Sequence, residues 1–120
     1  NVTFLGQVHG KKKHELLKSS DIFVLPTYYM NEGQPISIIE AMAYKNAIIT
    51  TKYRSIPDLI SEKKECFFVK RKDPNSIAKV LSFLNLNRKV LIQKQQNSYK
   101  RYKNNFTRKH HLNKIVNILE

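Results

Sequence analysis

A single cysteine, Cys66, excludes an intramolecular disulfide in this 120-residue chain and suits a reducing compartment. A lone cysteine is most often a small core residue, so no chemistry is assigned to it. Long hydrophobic runs are missing too: none approaches the roughly 18 residues that a membrane-spanning helix needs. The opening "NVTFLGQV" lacks the basic-then-apolar pattern of a secretory signal. It passes at once into a strand-like run, so the chain is expected to be cut from something longer. Repeats and low-complexity tracts are absent. Acidic residues are scarce in the second half. Residues 74–120 carry +9 and residues 1–73 carry +4, out of a formal net charge of +13. Such a basic half suits a polyanionic partner, either nucleic acid or an anionic membrane face. Lysines that merely solvate helix faces would give the same composition.

What is present is one domain's worth of alternating strands and helices, with 41% hydrophobic residues to build a single core. "VTFLG" (Val2–Gly6) predicts a strand closed by a turn, and Lys12–Ser20 a short helix resting on Leu16 and Leu17. "DIFVLPT" (Asp21–Thr27) and "AIITT" (Ala47–Thr51) read as strands buried on both faces, as in parallel sheets. Pro35 opens a helix through Tyr44, proline being favoured in a first turn. "IPDLIS" predicts a short helix and "CFFV" a fourth strand. Asp73 ahead of Pro74 is an N-cap for a helix with Ile77, Val80, Leu81 and Leu84 on one stripe. A polar helix over residues 88–104 shows a thin seam of Leu91, Gln95, Tyr99 and Tyr102. Thr107 caps a last helix with Leu112, Ile115, Val116 and Leu119 on one face. This order argues for an α/β, Rossmann-like parallel sheet with flanking helices.

Chemistry concentrates in "NEGQPISIIEAMA", Asn31–Ala43. In an open parallel sheet, ligands bind where strands end and loops lead into helix N-termini. Gly33 lets backbone approach a ligand there, and first-turn N–H groups can hold phosphate or hydroxyl oxygens. Glu40 falls in the second turn of a helix with almost no polar face, which is therefore expected to be buried nearly all round. Lys45 is its nearest base in sequence. A buried ionised carboxylate is costly unless paired or well hydrogen-bonded. Two readings stay open at this point: Glu40 accepts from a ligand diol such as ribose, or it is a structural acid bonded to backbone or to a distant cation. Glu32 likewise is either a ligand-binding acid or a solvated loop acid near a helix dipole. A two-carboxylate glycosidase would also use paired acids, but a carboxylate on a buried helix does not face a sugar cleft.

The stretch "EGQPISIIEAMA" resembles the Glu–seven residues–Glu motif of retaining nucleotide-sugar glycosyltransferases of the family 4 type, which have the GT-B fold. "VTFLGQV", "LLKSSDIFVLPTYYMNEGQP", "IPDLI", "FFVKRKDPNSIAKVL" and "NFTRKHHLNKIVNIL" resemble the family's other blocks in order and spacing. The resemblance covers nearly the whole chain, most weakly over residues 86–104. It implies that residues 1–120 are a single domain, part of the C-terminal, donor-binding domain of such an enzyme. It further implies that Glu32 is the catalytic-site residue holding donor-sugar hydroxyls near the anomeric carbon. Gly33, Gln34 and the neighbourhood of Pro35 would line the sugar and diphosphate site, Glu40 would hold the ribose hydroxyls, and Gly6 and His9 would border the nucleotide. His9 reads equally well as a surface loop histidine.

The implied substrates are a nucleotide-diphosphate sugar and a saccharide or lipid-linked acceptor, in surface polysaccharide or glycolipid synthesis, with no metal or other cofactor. The family's diphosphate-binding Arg and Lys, and its acceptor domain, would lie upstream of "NVTFLG", so the piece alone is expected to be inactive. Its setting would be cytoplasmic or peripheral on the inner membrane face, with the basic helices turned to anionic lipid or to the missing domain. Some positions depart from the family pattern. Lys45 stands where glycine is usual, Ala47 where proline is, Arg54-Ser55 where a Gly-Gly pair is, and Cys66 where glycine is common. Arg54 either reaches a phosphate or is solvated. Two other readings compete: a basic nucleic-acid-binding module, which lacks a stacking platform or groove-docking motif, and a degenerate scaffold domain.

Overall fold

Ala47–Thr51 forms a strand because four of its five residues are β-branched at consecutive positions and every one is buried. In the computed structural model, which describes residues 1–119, this strand (β2) is central in a three-stranded parallel sheet. Its neighbours are β1 (Ile22–Leu25) and β3 (Cys66–Val69), paired in the register Phe23↔Ile48 and Ile49↔Phe67. The helices are α1 (Gly10–Ser19), α2 (Ile36–Ala43), α3 (Ile56–Leu59), α4 (Pro74–Leu86), α5 (Arg88–Asn105) and α6 (Arg108–Leu119).

Period-two alternation splits the core between the two faces of the sheet. Ile48 of β2 and Cys66 of β3 join Ile38, Ala41 and Met42 of α2 and Ile56, Leu59 and Ile60 around α3, with Phe23, Leu25 and Phe68 packed alongside. On the other face Ala47, Ile49 and Val69 meet Leu84 of α4 and Leu91 of α5. Each fully buried isoleucine or leucine here contributes on the order of 1.5–3 kcal/mol. Asp73 caps α4 as expected, its carboxylate accepting from the backbone N–H of Asn75 (3.1 Å) and Ser76 (3.3 Å).

Several expectations are corrected. Val2–Gly6 is not a strand: Val2 and Phe4 are 99% and 95% exposed, and no described strand pairs with them. β-propensity makes a strand only where a ladder partner exists. β1 is not buried on both faces, since it is an edge of the described sheet and Val24 is exposed. Pro35 occupies the N-cap of α2 rather than its first turn. In α4, Leu81 is exposed although Leu84 is buried, so the predicted stripe is narrower than its spacing suggests. The α6 face of Leu112, Ile115, Val116 and Leu119 forms, and it is exposed.

Helix α5 departs furthest from expectation. Its innermost residues are Leu91, Lys94 and Ser98, two of them polar. Lys94 Nζ donates to the backbone carbonyls of Glu62 and Cys66, Ser98 Oγ to Glu65 O, Asn97 Nδ2 to Lys64 O, and Arg101 Nε to Leu59 O. Gln95 Nε2 reaches Asp21 O. Most of these carbonyls lie just before β1 and β3, so α5 crosses the edge where strands begin and bonds backbone groups there. Burial pushes the Lys94 amine below its ordinary range and pushes the Cys66 thiol up to about 12.

Two family departures have a backbone signature. Lys45 (φ 62°) and Arg54 (φ 53°) both adopt the left-handed region that favours glycine. Lys45 closes α2 in a Schellman motif, with Lys45 N–H bonding Met42 O (3.1 Å) and Asn46 N–H bonding Ala41 O (3.0 Å). Both positions thus hold this conformation without the residue that adopts it most easily.

Candidate functional site

Because all three strands run parallel, their carboxyl ends share one edge. Three loops meet there: Pro26–Pro35 after β1, Lys52–Ser55 after β2, and Lys70–Asp73 after β3. The threonines ending β2 pin the exit of β1. Thr50 Oγ1 donates to Leu25 O (2.7 Å) and Thr51 Oγ1 to Thr27 O. This fixes Thr27, whose hydroxyl accepts from Tyr29 N–H (3.2 Å) and donates to Glu32 Oε2 (2.6 Å). Glu32 N–H bonds back to Tyr29 O (3.0 Å). The Glu32 carboxylate is therefore held in place, half-buried, before any ligand arrives.

The next residues prepare the start of α2. The Gly33 carbonyl accepts from Ser55 Oγ (3.0 Å), which ties this loop to the one after β2. A Cβ added at Gly33 would meet open space, so its face of the loop is free for a ligand's approach. Gln34 is exposed and Pro35 buried. Proline offers no capping oxygen, and no side chain caps α2. The first-turn N–H groups of α2 thus present an uncapped positive dipole end beside Glu32.

Glu40 is not enclosed in apolar surroundings, which corrects that expectation. Ile38, Ala41 and Met42 point into the core, whereas Ile36 is 71% exposed and the Glu40 side chain keeps 28% exposure. Glu40 Oε2 pairs with Lys13 Nζ of α1 at 2.9 Å, a base 27 positions away and not the sequence-adjacent Lys45. Beside this pair His14 Nδ1 and Tyr44 Oη are 2.9 Å apart, and Asn46 Nδ2 ties the end of α1 (Leu17 O, 3.0 Å) to that of α2 (Ala41 O, 3.2 Å). The helices α1 and α2 are thereby locked side by side.

His9 sits at the N-cap of α1, exposed and making no side-chain capping bond. Gly6 is exposed in the preceding arm, at φ +67°. No hydrogen bond or ion pair among the described residues connects either to Glu32 or Glu40. Thr27, Ser55 and Lys13 are the positioning residues that spacing alone did not single out. The hydroxyl five residues before Glu32, directly after a strand, is a signal that could have found Thr27; Lys13 carries no local signal. No cluster of three or more His, Cys, Asp or Glu suited to a metal occurs among the described residues. No described helix is long and apolar enough to cross a membrane.

Comparison with known proteins places this architecture. The family described as Glycosyl transferases group 1 matches residues 1–106. An N,N'-diacetylbacillosaminyl-diphospho-undecaprenol alpha-1,3-N-acetylgalactosaminyltransferase from Campylobacter jejuni is 32% identical over 84 residues, covering 70% of this chain and 22% of that protein. Among solved structures, the C-terminal domain of a glycosyl transferase group 1 family protein (LpcC) from Francisella tularensis superposes with a TM-score of 0.76 at 26% identity, over 88% of this chain and 53% of that one. Sucrose-phosphate synthase from Thermosynechococcus elongatus shares the fold, with a TM-score of 0.79 at 20% identity, over 98% of this chain and 30% of that one. The chain thus spans about a fifth of the length of the Campylobacter relative. Its parallel sheet and flanking helices are those of a C-terminal domain of a GT-B glycosyltransferase, and the chain belongs to the glycosyl transferases group 1 family.

Proposed function

We propose that this chain is the donor-binding part of a retaining glycosyltransferase that moves a sugar from a nucleotide-diphosphate sugar to a saccharide or lipid-linked acceptor. The observation carrying the proposal is the pair of pre-positioned carboxylates flanking an uncapped helix start: Glu32 held by Thr27, and Glu40 held by Lys13. In this reading Lys13 occupies Oε2 of Glu40, and the ribose hydroxyls donate to Oε1. The diphosphate lies against the N–H groups opening α2, with Gly33, Gln34 and Pro35 lining the sugar. Gly6 and His9 border the nucleotide from the arm before α1. Glu32 accepts from donor-sugar hydroxyls and orients the anomeric carbon. The chemistry is electrostatic: the helix dipole stabilises the diphosphate as it leaves, and positioning supplies the rest. No protein-bound metal takes part.

The family assignment supports transferase activity. The name of the Campylobacter relative supports a lipid-linked acceptor. The acceptor domain and the remaining diphosphate-binding cations are contributed by other parts of the whole protein. The working place is the cytoplasmic side of the membrane, with the basic segment 74–120 toward anionic lipid or the acceptor domain.

Titration with UDP-, GDP- and ADP-sugars tests this, comparing the chain with its Glu32→Ala and Glu40→Ala forms, with and without EDTA. Binding of one nucleotide class is expected, weakened about tenfold or more by Glu40→Ala and insensitive to EDTA. Absence of any nucleotide-sugar binding, or indifference to Glu40→Ala, would sink the reading.

A further inference from the structure

Beyond Glu32, the same edge of the sheet holds a cleft of about 750 Å³ lined by Tyr28, Tyr29, Met30, Tyr53, Arg71 and Lys72. One residue group comes from each of the three loops. The cleft's lining contains no acid and two cations, and a third cation stands at its wall. Arg71 Cζ lies 5.0 Å and Arg54 Cζ 5.4 Å from the Tyr53 ring centroid, and Lys72 Nζ lies 5.0 Å from the Tyr28 centroid. The nearby acids are committed elsewhere, Asp73 to capping α4 and Glu32 to Thr27. Stacking on aromatic faces holds these cations in place while leaving their donors free for an anion.

Two further observations mark the cleft as more than an accident of loop packing. Arg54 and Lys72 both hold positive φ, 53° and 56°, where glycine would be relaxed. Backbone outliers of this kind gather at binding sites. In addition Tyr28, Tyr29 and Met30 leave 52%, 62% and 74% of their surface exposed in one continuous rim. Open aromatic faces beside cations fit a sugar ring carrying negative charge, since the ring stacks and the charge takes the guanidinium or amine.

The cleft draws no residue from α1 or α2, which carry Lys13 and Glu40, the proposed nucleotide's contacts. Glu40 pairs with Lys13 of α1, whereas Tyr53, Arg71 and Lys72 follow β2 and β3. We propose that this cleft binds the acceptor's side of the reaction, as a saccharide bearing a phosphate or carboxylate. The assignment rests on the donor reading above, because that reading is what fixes which residues the nucleotide takes.

Isothermal titration of the chain with glucose 6-phosphate, glucuronate, neutral glucose and inorganic phosphate tests it, with the nucleotide sugar run in parallel. The double variant Arg71→Gln/Lys72→Gly removes both charges while relieving the positive φ at position 72, so it is expected to fold at least as well. Charged sugars are expected to bind at least tenfold more tightly than glucose or inorganic phosphate, and to lose at least tenfold in the double variant. Nucleotide-sugar affinity should stay within twofold. Preference for one charged sugar names phosphate or carboxylate as the recognised group. Equal binding of glucose or of free phosphate, or an unaffected double variant, overturns the proposal. A parallel fall in nucleotide-sugar affinity also overturns it, assigning the cleft to the donor's diphosphate. A chain that binds charged sugars through Arg71 and Lys72 but no nucleotide sugar refutes the donor reading alone.

Discussion

Replacing Lys45 by glycine and by alanine should invert the usual order of those two residues. In a helix interior, glycine is less stable than alanine by about 0.5–1 kcal/mol, because the unfolded chain gains backbone freedom. At Lys45 the native φ is 62°, in the Schellman turn that ends α2. An L-residue there pays roughly 1–2 kcal/mol, which alanine retains and glycine escapes. Subtracting glycine's entropic cost of about 0.5–1 kcal/mol leaves a net advantage of about 1 kcal/mol for glycine over alanine. Both variants lose the contact of Lys45 Nζ with the Tyr99 ring, 4.7 Å from its centroid. That loss, about 0.5 kcal/mol at an exposed site, cancels from the comparison. Lys45→Ala should thus fall about 0.5 kcal/mol below the parent, and Lys45→Gly should match or slightly exceed it. Urea unfolding followed by circular dichroism resolves this, since 1 kcal/mol moves the midpoint by roughly 0.5–1 M in a domain of this size. Lys100, exposed in the interior of α5, is the control, where glycine should be the less stable of the pair. If alanine equals or exceeds glycine at position 45, the strain argument is wrong.

Other expectations follow from the same geometry. Asp73→Ala should cost about 1 kcal/mol by uncapping α4, and Asp73→Asn should restore most of it; equal losses in both would point away from capping. Cys66 is buried with its thiol pushed up to about 12 from an ordinary 9.0, so between those values the unfolded chain holds fewer protons than the folded one. Its contribution is fully present below pH 9.0 and is lost as pH rises toward 12, so the parent's advantage over Cys66→Ala should shrink by about 1.4 kcal/mol per pH unit in that window. Lys94 has the opposite sign: its amine is lowered from 10.5, so the cost of burying its charge is relieved as pH climbs toward 10.5. Lys94→Met should flatten that alkaline gain in urea midpoints measured at successive pH values. Lys13→Ala, which removes a partly exposed ion pair, should cost under about 1 kcal/mol of stability yet weaken nucleotide-sugar binding through Glu40, as a parallel titration would record.

The elements legible beforehand are those whose evidence is local. Ala47–Thr51 and Cys66–Val69 form as strands over their full predicted spans, and Asp73-Pro74 starts a helix. Val2–Gly6 carries the same β-rich signal but pairs with no strand among the described residues, and strand formation depends on a partner that composition does not report. Helix α5 was legible as a helix but not in what faces inward. Its seam works by donating to backbone carbonyls, and hydrophobic periodicity is blind to that. In the site, Glu32 and Glu40 stood out by spacing, whereas Lys13, Thr27 and Ser55 reach them only through the fold. The cleft was invisible for the same reason: Tyr28, Tyr53 and Arg71 come from three separate loops that adjacency of parallel strands brings together.

The carbonyl-directed face of α5 has an evolutionary consequence. Every residue possesses a backbone carbonyl, so the groups that Lys94, Asn97, Ser98 and Arg101 recognise persist whatever side chains occupy positions 59 and 62–66. Drift in that segment leaves the clamp intact, whereas drift along the helix dismantles it. The helix reads where the chain passes, not which residues it carries, and the two partners of a single interface are therefore free to diverge at very different speeds.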